Sequence, residues 1–531
     1  MTKEQNKILA EVKKILDNEL NKKIGIVATA GSGKTFTLAK LAEDNPDKQF
    51  LYLVFNKEAK LDAQKRFPKN TKVSTLHALA FRGIFPYGLQ GKEILPRYQD
   101  FILEAIEHKL DKGVNLKKIA YNFSNKLRDI NFNLDEDKTC SVIWQAIKKG
   151  DIGYTHDAYL REFIENEVVV NKLTSHYDAV LIDEAQDLNP MTFGMLKKIT
   201  KTQIFVGDPN QAIYAFNDCI NIFNELEFDE IFPLSETFRC VSDIVDKANI
   251  LLKKIGRKGT KEMVTNVVSR RVVTTAILTR TNAGMIKYLV SSMRAGKKLP
   301  YIVKDPKVLF EDIFQFYDFA EVMIANNKFI AEDKRLKEVR GSFFANRENF
   351  QDLCGNLNKY TAKKSSDFWL NNFYTLEEFE DYVENSLNIK DKPSMLALKK
   401  IVISIERKEI EKLFHMINNS VYSDKNQKIL TAHISKGLEY DKVIVYDDFV
   451  DFFEIDKQIK EQNKIISDLE KSANSSTDKI KIAQINSAKK NREEIKQKRI
   501  EELNLLYVAI TRAKYSLKFL DKNLEQYCCE K

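Results

Sequence analysis

Short apolar runs alternate with amphipathic helical patterns at both ends of the chain. Within residues 1–84 and 171–230, runs such as 50–55 and 203–206 are unbroken and only a few residues long. Such runs are typical of strands that are buried on both faces of a parallel sheet. The intervening residues 85–170 are mainly helical in pattern. We therefore predict a first α/β domain, formed by the two outer segments, with a helical insertion between them.

A second series of strand-like runs begins near residue 231 and resumes after residue 424. Runs at 273–278 and 443–446 predict a second parallel sheet, formed by residues 231–295 and 425–531. Residues 296–424 interrupt this series with a charged, mostly helical pattern. The predicted fold class is therefore α/β, with two parallel-sheet domains that each carry a mainly helical inserted subdomain.

Residues 455–500 form the most biased stretch of the chain. Isoleucine and leucine recur there at roughly helical spacing within a Lys/Glu-rich background, and residues 473–477 break the pattern. This arrangement predicts a helical hairpin inserted in the second domain. Its Lys-rich end, at residues 489–492, has three interpretations: a solvated helix face, a contact with a phosphate backbone, or a targeting signal.

A glycine-rich loop at residues 28–35 lies between a strand-like run and a helical pattern. This context predicts a phosphate-binding loop, in which backbone N–H groups at the start of the helix face the phosphates. Lys34 would bind the β- and γ-phosphates, and Thr35 would bind Mg²⁺ held with ATP. Ala28 departs from the strict pattern, which has glycine there. The loop residues expected to contact ATP are Ala30, Gly31, Ser32, Gly33, Lys34 and Thr35.

Two adjacent carboxylates complete the predicted nucleotide site. Asp183 and Glu184 follow the apolar run 179–182, and ligands of open α/β sheets bind at that edge. Asp183 would hold Mg²⁺, while Glu184 would orient or deprotonate the attacking water. Either half of the site could arise by chance, but the pair indicates a nucleoside triphosphate hydrolase.

Gln211 and two aromatic residues follow a third strand-like run. A glutamine at this place can sense hydrolysis at the γ-phosphate, and Tyr214 and Phe216 could stack on nucleic-acid bases. Their alternative role is packing in the core, which is the usual fate of such residues.

Composition limits the class of protein. The chain has 531 residues, 43% hydrophobic and 30% charged, and shows neither a transmembrane run nor a signal peptide. Its six cysteines lack metal-binding spacing, so we expect reduced thiols in the cytoplasm. The net charge of +9 suits a polyanionic partner without proving one.

These motifs, together with several others in order, resemble those of superfamily-one helicases of the UvrD/Rep type. Glu4 and Gln5 resemble the Q motif, which implies that Gln5 binds the adenine edge. Residues 54–57 and 74–79 resemble motifs Ia and Ib, and residues 206–216 resemble motif III. The single-stranded DNA contacts that the resemblance implies in these three motifs are Phe55, Asn56, Thr75, His77, Tyr214 and Phe216.

The later motifs of that family follow in the second half of the chain. Residues 234–239 resemble motif IV, which implies that Phe238 stacks on adenine and Arg239 reaches the γ-phosphate. Residues 431–440 resemble motif V, and residues 502–513 resemble motif VI. The roles implied for these two motifs are DNA binding by His433, ATP binding by Gly437 and Glu439, and an arginine finger at Arg512.

The stretches 55–57, 155–160, 183–190 and 447–449 make the helicase core of F-box DNA helicases the variant that this chain resembles most. The chain starts directly at the Q motif, so we expect neither an F-box nor a ubiquitin-ligase partnership. The short tail after motif VI leads us to expect no nuclease domain. The resemblance implies two RecA-like domains, with Arg239 and Arg512 both supplied by the second.

The expected function is an ATP-dependent DNA helicase or translocase. The resemblance implies 3′-to-5′ movement on single-stranded DNA, action on 3′-tailed duplexes, and a cytoplasmic, nucleoid-associated role in DNA repair, recombination control or mobile-element defence. A protein partner could dock on 455–500 or 296–424. Two alternatives stay open: a translocase that strips proteins with little unwinding, and a nucleotide-switched DNA-binding subunit of a larger complex.

Overall fold

The computed structural model divides the chain into two compact units. The first contains residues 1–268 and 497–507, and the second contains 269–496 and 508–531. The structure describes residues 1–54, 57–110, 115–214, 219–257, 259–303, 305–307, 309–311, 313–314, 317, 401, 404–419, 423–472 and 479–530.

A six-stranded parallel sheet forms the centre of the first unit, with strand order β3-β2-β6-β7-β1-β8. The central strands are buried along their whole length, as expected for a parallel sheet that is covered on both faces. These strands are β1 (Lys23–Ala28), β2 (Phe50–Val54), β3 (Thr71–Thr75), β6 (Ala179–Ile182), β7 (Thr202–Gly207) and β8 (Glu230–Leu234), and the short pairs are β4 (Ile94–Leu95) with β5 (Tyr154–Thr155), and β9 (Glu236–Thr237) with β10 (Val264–Thr265).

Helices cover both faces of this sheet. Several begin at residues whose side chains accept a hydrogen bond from the first turn, such as Thr2, Thr75, Asp137 and Asn189. The helices of the first unit are α1 (Lys3–Asp17), α2 (Lys34–Glu43), α3 (Lys57–Arg66), α4 (Leu76–Ile84), α5 (Asp100–Leu103), α6 (Leu116–Arg128), α7 (Lys138–Lys149), α8 (His156–Glu165), α9 (Glu167–Thr174), α10 (Pro190–Leu196), α11 (Ile222–Glu225) and α12 (Ser242–Ile255).

The helical insertion shares a hydrophobic core with one face of the sheet. Trp144 and Phe163 from the insertion are fully buried in the same cluster as Leu51, Val180 and Phe205 from the strands. A separate cluster on the other face joins α1 and α2 to the strands. Trp144 is thus a core residue of the first unit.

The first unit extends further along the chain than the sequence suggested. We expected the second domain to start at residue 231, yet β8 pairs in parallel with β1 at the edge of the first sheet. The first unit continues through α12 to Val268. The apolar run at 231–234 is compatible with either sheet, because periodicity does not say which neighbour a strand pairs with.

The second unit contains a five-stranded parallel sheet, with strand order β12-β13-β11-β14-β15. Its strands are β11 (Thr275–Thr279), β12 (Leu299–Ile302), β13 (Ser423–Thr431), β14 (Tyr440–Val445) and β15 (Ala513–Phe519). Its helices are α13 (Asn282–Arg294), α14 (Arg407–Asn418), α15 (Phe452–Ser472), α17 (Lys522–Cys529) and the parts of α16 (Lys479–Ile510) outside residues 497–507. Two parallel sheets confirm the predicted α/β class.

The predicted helical hairpin is present as α15 and α16. Lys489 forms an ion pair with Glu470 at 2.8 Å, and Arg492 donates to Asn463 at 3.3 Å across the two helices. Lys489 and Arg492 thus contact the hairpin itself. Most of the insertion predicted at 296–424 lies outside the described residues.

No helix in the described part of the chain combines the length and apolar character that a membrane span requires.

Candidate nucleotide-binding site

The glycine-rich loop connects β1 to α2 and leaves backbone donors at the helix start. Gly31 and Gly33 have φ of 72° and 81°, a left-handed conformation that L side chains rarely adopt. Gly33 has no side chain that could cap the first turn of α2. The backbone N–H groups of that turn are therefore available to an anion. The loop therefore leaves backbone donors at the start of α2 that would suit a phosphate group, and phosphate binding by the loop stays a prediction.

Four side chains converge beside this loop. The ammonium of Lys34 lies 2.9 Å from Glu184 Oε2, and the hydroxyl of Thr35 donates to Asp183 Oδ2 at 2.5 Å. Burial by itself disfavours charged Lys34, but the carboxylates of Glu184, Asp183 and Asp208 together raise its pKa. Lys34 thus places a partly buried ammonium group at the start of α2, beside the loop that is predicted to bind phosphate.

The oxygen atoms of Thr35 and Asp183 fit a divalent cation that is held jointly with a nucleotide. Among the described residues, no cluster of three or more acidic, histidine or cysteine side chains could hold a metal alone. Mg²⁺ commonly uses one or two protein oxygens and completes its shell with phosphates and water. Burial raises the pKa of Asp183, and a nearby cation would favour its charged form.

Tyr52, Gln186 and Asp208 support the predicted residues, and sequence reasoning missed all three. Tyr52 donates to Asp183 Oδ2 at 3.0 Å from the neighbouring strand. Gln186 donates to Glu184 Oε2 at 2.6 Å and accepts from the backbone N–H of Asp208 at 3.1 Å. The motif strings contained Gln186 and Asp208, but only the fold shows that they join the two motifs.

Gln211 is held by a buried carboxylate. Its amide donates to Asp208 Oδ2 at 2.8 Å, and Tyr507 donates to the same oxygen at 3.1 Å. Burial raises the pKa of Asp208, while these donors favour its charged form. The arrangement fixes the orientation of Gln211 next to the cluster around Lys34.

The predicted adenine-binding residues flank the same loop. A Cβ placed on Gly33 would lie 3.2 Å from Gln5 Nε2 and 3.7 Å from the ring of Phe238. Phe238 is 54% exposed, which suits an aromatic that stacks on a base. Its backbone N–H donates to the carbonyl of Gly31 at 2.9 Å. Gln5 now donates to Thr37 and accepts from the backbone of Thr2.

Arg239 lies in the first unit, next to the glycine-rich loop. A Cβ on Gly31 would lie 2.7 Å from Arg239 Cβ. We expected the second domain to supply this arginine, but β8 and β9 bring it to the first sheet. Arg239 lies in the first unit because β8 belongs to the first sheet and the rest of motif IV follows β8 directly along the chain.

The remaining predicted nucleotide residues lie in the second unit. Gly437 adopts a left-handed φ of 82°, and Glu439 forms an ion pair with Lys514 at 2.7 Å. Arg512 is only 2% exposed and donates to the carbonyls of Val508 and Leu438. Its guanidinium is thus held by backbone acceptors of its own unit.

The predicted DNA contacts are only partly described. Thr75 uses its hydroxyl to cap α4, and His77, two residues further along the chain, is exposed. His77 packs edge-on against His156 with ring centroids 6.1 Å apart, and His156 in turn bonds the hydroxyl of Tyr159 at 2.9 Å. Phe55, Asn56 and Phe216 lie outside the described residues, whereas Tyr214 and His433 lie within them as partly buried residues.

Comparisons with known proteins agree with the family suggested by the motifs. Residues 98–233 match the UvrD/REP helicase N-terminal domain. The chain is 24% identical to "F-box DNA helicase 1" of Gallus gallus, with 98% of this chain and 49% of that protein covered. It is 24% identical to "F-box DNA helicase protein 1" of Schizosaccharomyces pombe, covering 98% and 58% respectively.

A bacterial relative shows the same likeness. The chain is 24% identical to a "Probable DNA helicase II homolog" of Mycoplasma capricolum, with 93% of this chain and 69% of that protein covered. Compared with the two F-box proteins, the chain spans only about half of their length.

Proposed function

We propose that this chain, which is homologous to F-box DNA helicases and DNA helicase II homologues across most of its length, is an ATP-dependent DNA helicase or translocase. The observation that carries the proposal is the convergence of Lys34, Thr35, Asp183 and Glu184 beside a left-handed glycine-rich loop. A cation, a hydroxyl and two carboxylates in this order are the set that nucleoside triphosphate hydrolysis requires.

The side chains of the first unit would divide the chemistry among them. Lys34 would exchange its contact with Glu184 for the β- and γ-phosphates, which frees that carboxylate to orient or deprotonate water. Thr35 and Asp183 would hold Mg²⁺, which neutralises charge on the transferred phosphoryl group when bound. Gln211, fixed by Asp208, would sense the γ-phosphate.

The flanking residues would recognise the rest of the nucleotide. We assign adenine binding to Gln5 and Phe238, a γ-phosphate contact to Arg239, and ribose contacts to Gly437 and Glu439. Arg512 is assigned as the arginine finger. Its guanidinium would first have to leave the carbonyls of Val508 and Leu438.

We assign the sheet of the first unit as domain 1A, with residues 85–170 as insertion 1B. The sheet of the second unit corresponds to domain 2A, and residues 296–424 to insertion 2B. The assignment uses Val268 rather than residue 230 as the first boundary, because β8 belongs to the first sheet.

The proposed substrate is single-stranded DNA, including the tail of a 3′-tailed duplex. Thr75, His77, Tyr214 and His433, together with Phe55, Asn56 and Phe216, are the proposed contacts. Movement in the 3′-to-5′ direction, a role in repair, recombination control or defence, and nucleoid association belong to the same proposal. A protein partner that docks on residues 455–500 or 296–424 also belongs to this proposal.

ATP turnover with and without single-stranded DNA, measured beside unwinding of 3′-tailed and 5′-tailed duplexes, tests this function. Lys34→Ala should abolish turnover, because the phosphates lose the buried ammonium. Lys40→Ala removes a lysine of the same helix that pairs with Glu43 and Asp44, and should keep wild-type turnover.

The outcomes separate the candidate functions. DNA-stimulated turnover with unwinding of the 3′-tailed duplex supports a helicase of the proposed polarity. Stimulated turnover without unwinding supports the protein-stripping translocase. Nucleotide-dependent DNA binding without turnover supports a switched subunit, and turnover that survives Lys34→Ala contradicts the assignment of the site.

A further inference from the structure

We propose that Tyr507 is a positioning residue for ATP hydrolysis, whose hydroxyl joins the phosphate-binding loop to the carboxylate that orients Gln211. The proposal rests on the proposed ATPase function and adds a residue to it. Tyr507 lies on α16, in the stretch 497–507 that belongs to the first unit. Its hydroxyl is therefore supplied to the loop by a helix more than 400 residues further along the chain.

Tyr507 makes two polar contacts that matter for the site. Its oxygen accepts a hydrogen bond from the backbone N–H of Ala30 at 3.1 Å, inside the glycine-rich loop. Its hydroxyl lies 3.1 Å from Asp208 Oδ2 and 3.4 Å from the sulfur of Met263, and donates to one of them at a time. The carboxylate is the stronger acceptor of the two.

These contacts close a ring of hydrogen bonds that begins and ends on the same loop. From Ala30 the ring passes through Tyr507 and Asp208 to Gln186, and then through Glu184 to Lys34. We call this set the loop ring. Tyr507 is its contribution from α16, whereas the other members come from the first 210 residues.

The loop ring holds two of the groups proposed to act on the attacking water and the γ-phosphate. Gln211 donates to the same oxygen of Asp208 that Tyr507 contacts, and Glu184 accepts from Gln186. Loss of the hydroxyl would release Asp208 on one side and leave the N–H of Ala30 without its buried acceptor. Such a release misplaces groups that act in the chemical step, where small displacements slow the rate strongly.

Packing alone is the competing explanation, because Tyr507 is fully buried. A phenylalanine at this position would fill nearly the same volume, so Tyr507→Phe tests the hydroxyl and not the ring. Tyr154→Phe is the matched control. Tyr154 is also buried in the first unit, and its hydroxyl donates to the carboxylate of Glu162 at 2.7 Å.

The experiment measures kcat and KM for ATP, the affinity for a fluorescent ATP analogue, and the melting temperature of each variant. For Tyr507→Phe we expect kcat to fall by about ten- to a hundredfold, with KM and analogue affinity changed by about twofold or less. Tyr154→Phe should match it in melting temperature and keep the wild-type kcat.

A double-variant test identifies the partner. Asp208→Asn should lower kcat in the same way. Adding Tyr507→Phe to it should cause less than the full additional loss, since both changes disrupt the hydrogen bond between Tyr507 and Asp208. If Tyr507→Phe does not fold, Asp208→Asn still has to lower kcat without weakening analogue binding.

Three results would overturn the proposal. The first is an unchanged kcat in Tyr507→Phe. The second is an equal fall of kcat in Tyr507→Phe and Tyr154→Phe that follows their melting temperatures. The third is a fully additive loss of kcat in the double variant. A wild-type protein that binds no nucleotide and hydrolyses no ATP would instead refute the proposed function itself.

Discussion

Replacing Gly31 by alanine should damage the site in a way that a matched glycine does not share. Gly31 has a φ of 72°, where an L side chain costs about 1–2 kcal/mol. Its new Cβ would lie 2.6 Å from Thr237 Oγ1 and 2.7 Å from Arg239 Cβ. Real Cβ atoms do not approach other atoms this closely, so either the loop at Gly31 or the segment 237–239 must move.

The displacement has little room. Thr237 is 1% exposed, and its hydroxyl accepts the backbone N–H of Arg239 at 3.2 Å. Overpacking of this kind costs about 1–3 kcal/mol, so the whole loss for Gly31→Ala is about 2–5 kcal/mol of unfolding free energy. Because Arg239 is part of the clash, ATP turnover should fall by more than about tenfold.

Gly150→Ala supplies the control. Gly150 ends α7 with a φ of 86°, and a Cβ there would meet no atom within 4 Å. The Gly150→Ala variant should lose only the cost of the left-handed backbone, about 1–2 kcal/mol of unfolding free energy, and should keep wild-type ATP turnover.

Urea unfolding and steady-state ATP hydrolysis of the two variants provide the measurement. The difference between them isolates the contact with Thr237 and Arg239, since the backbone cost is common to both. Equal losses of stability, together with wild-type turnover in Gly31→Ala, would show that the loop does not depend on this close approach.

Three further outcomes are expected. Glu184→Gln should bind ATP and hydrolyse it poorly, and a loss of ATP affinity as severe as in Lys34→Ala would make Glu184 a binding residue instead. Arg512→Ala should lower kcat steeply with the fold retained by circular dichroism; an unchanged rate would make Arg512 structural. The hydrogen bond from Lys126 lowers the pKa of Asp137 to about 2, below its ordinary 3.8, so its stabilising effect should be complete above about pH 4 and disappear as the pH falls to 2. Asp137→Asn keeps a capping side chain, so its melting temperature should lie below wild type at pH 6 and converge with it near pH 2; a constant difference would contradict the shift.

The sequence predicted the fold class because both sheets are parallel. Buried parallel strands are continuous apolar runs, and the runs ending at Ala28 and Ile182 place Lys34 and Asp183 at one edge. The domain boundary was harder to predict. The strand at 230–234 carries no mark that distinguishes a sixth strand of the first sheet from a first strand of the second.

The polar roles of Tyr52 and Tyr507 at the site could not be predicted from the sequence, because they depend on tertiary contacts. Tyr52 belongs to an ordinary apolar strand, and Tyr507 to an apolar stretch of a long helix, so neither pattern marks a polar role. Their hydroxyls became informative only when the fold placed them against Asp183, Asp208 and the backbone of Ala30.

The shared core of the helical insertion and the first sheet has a consequence for how this unit opens. Because Trp144 and Phe163 pack in one cluster with Leu51 and Phe205, the insertion cannot be excised without stripping a face of the sheet. Amide protons of α7 and α8 should therefore exchange with solvent at rates close to those of β2 and β7. Engineering of this protein would have to treat residues 85–170 as part of one cooperative folding unit, not as a removable module.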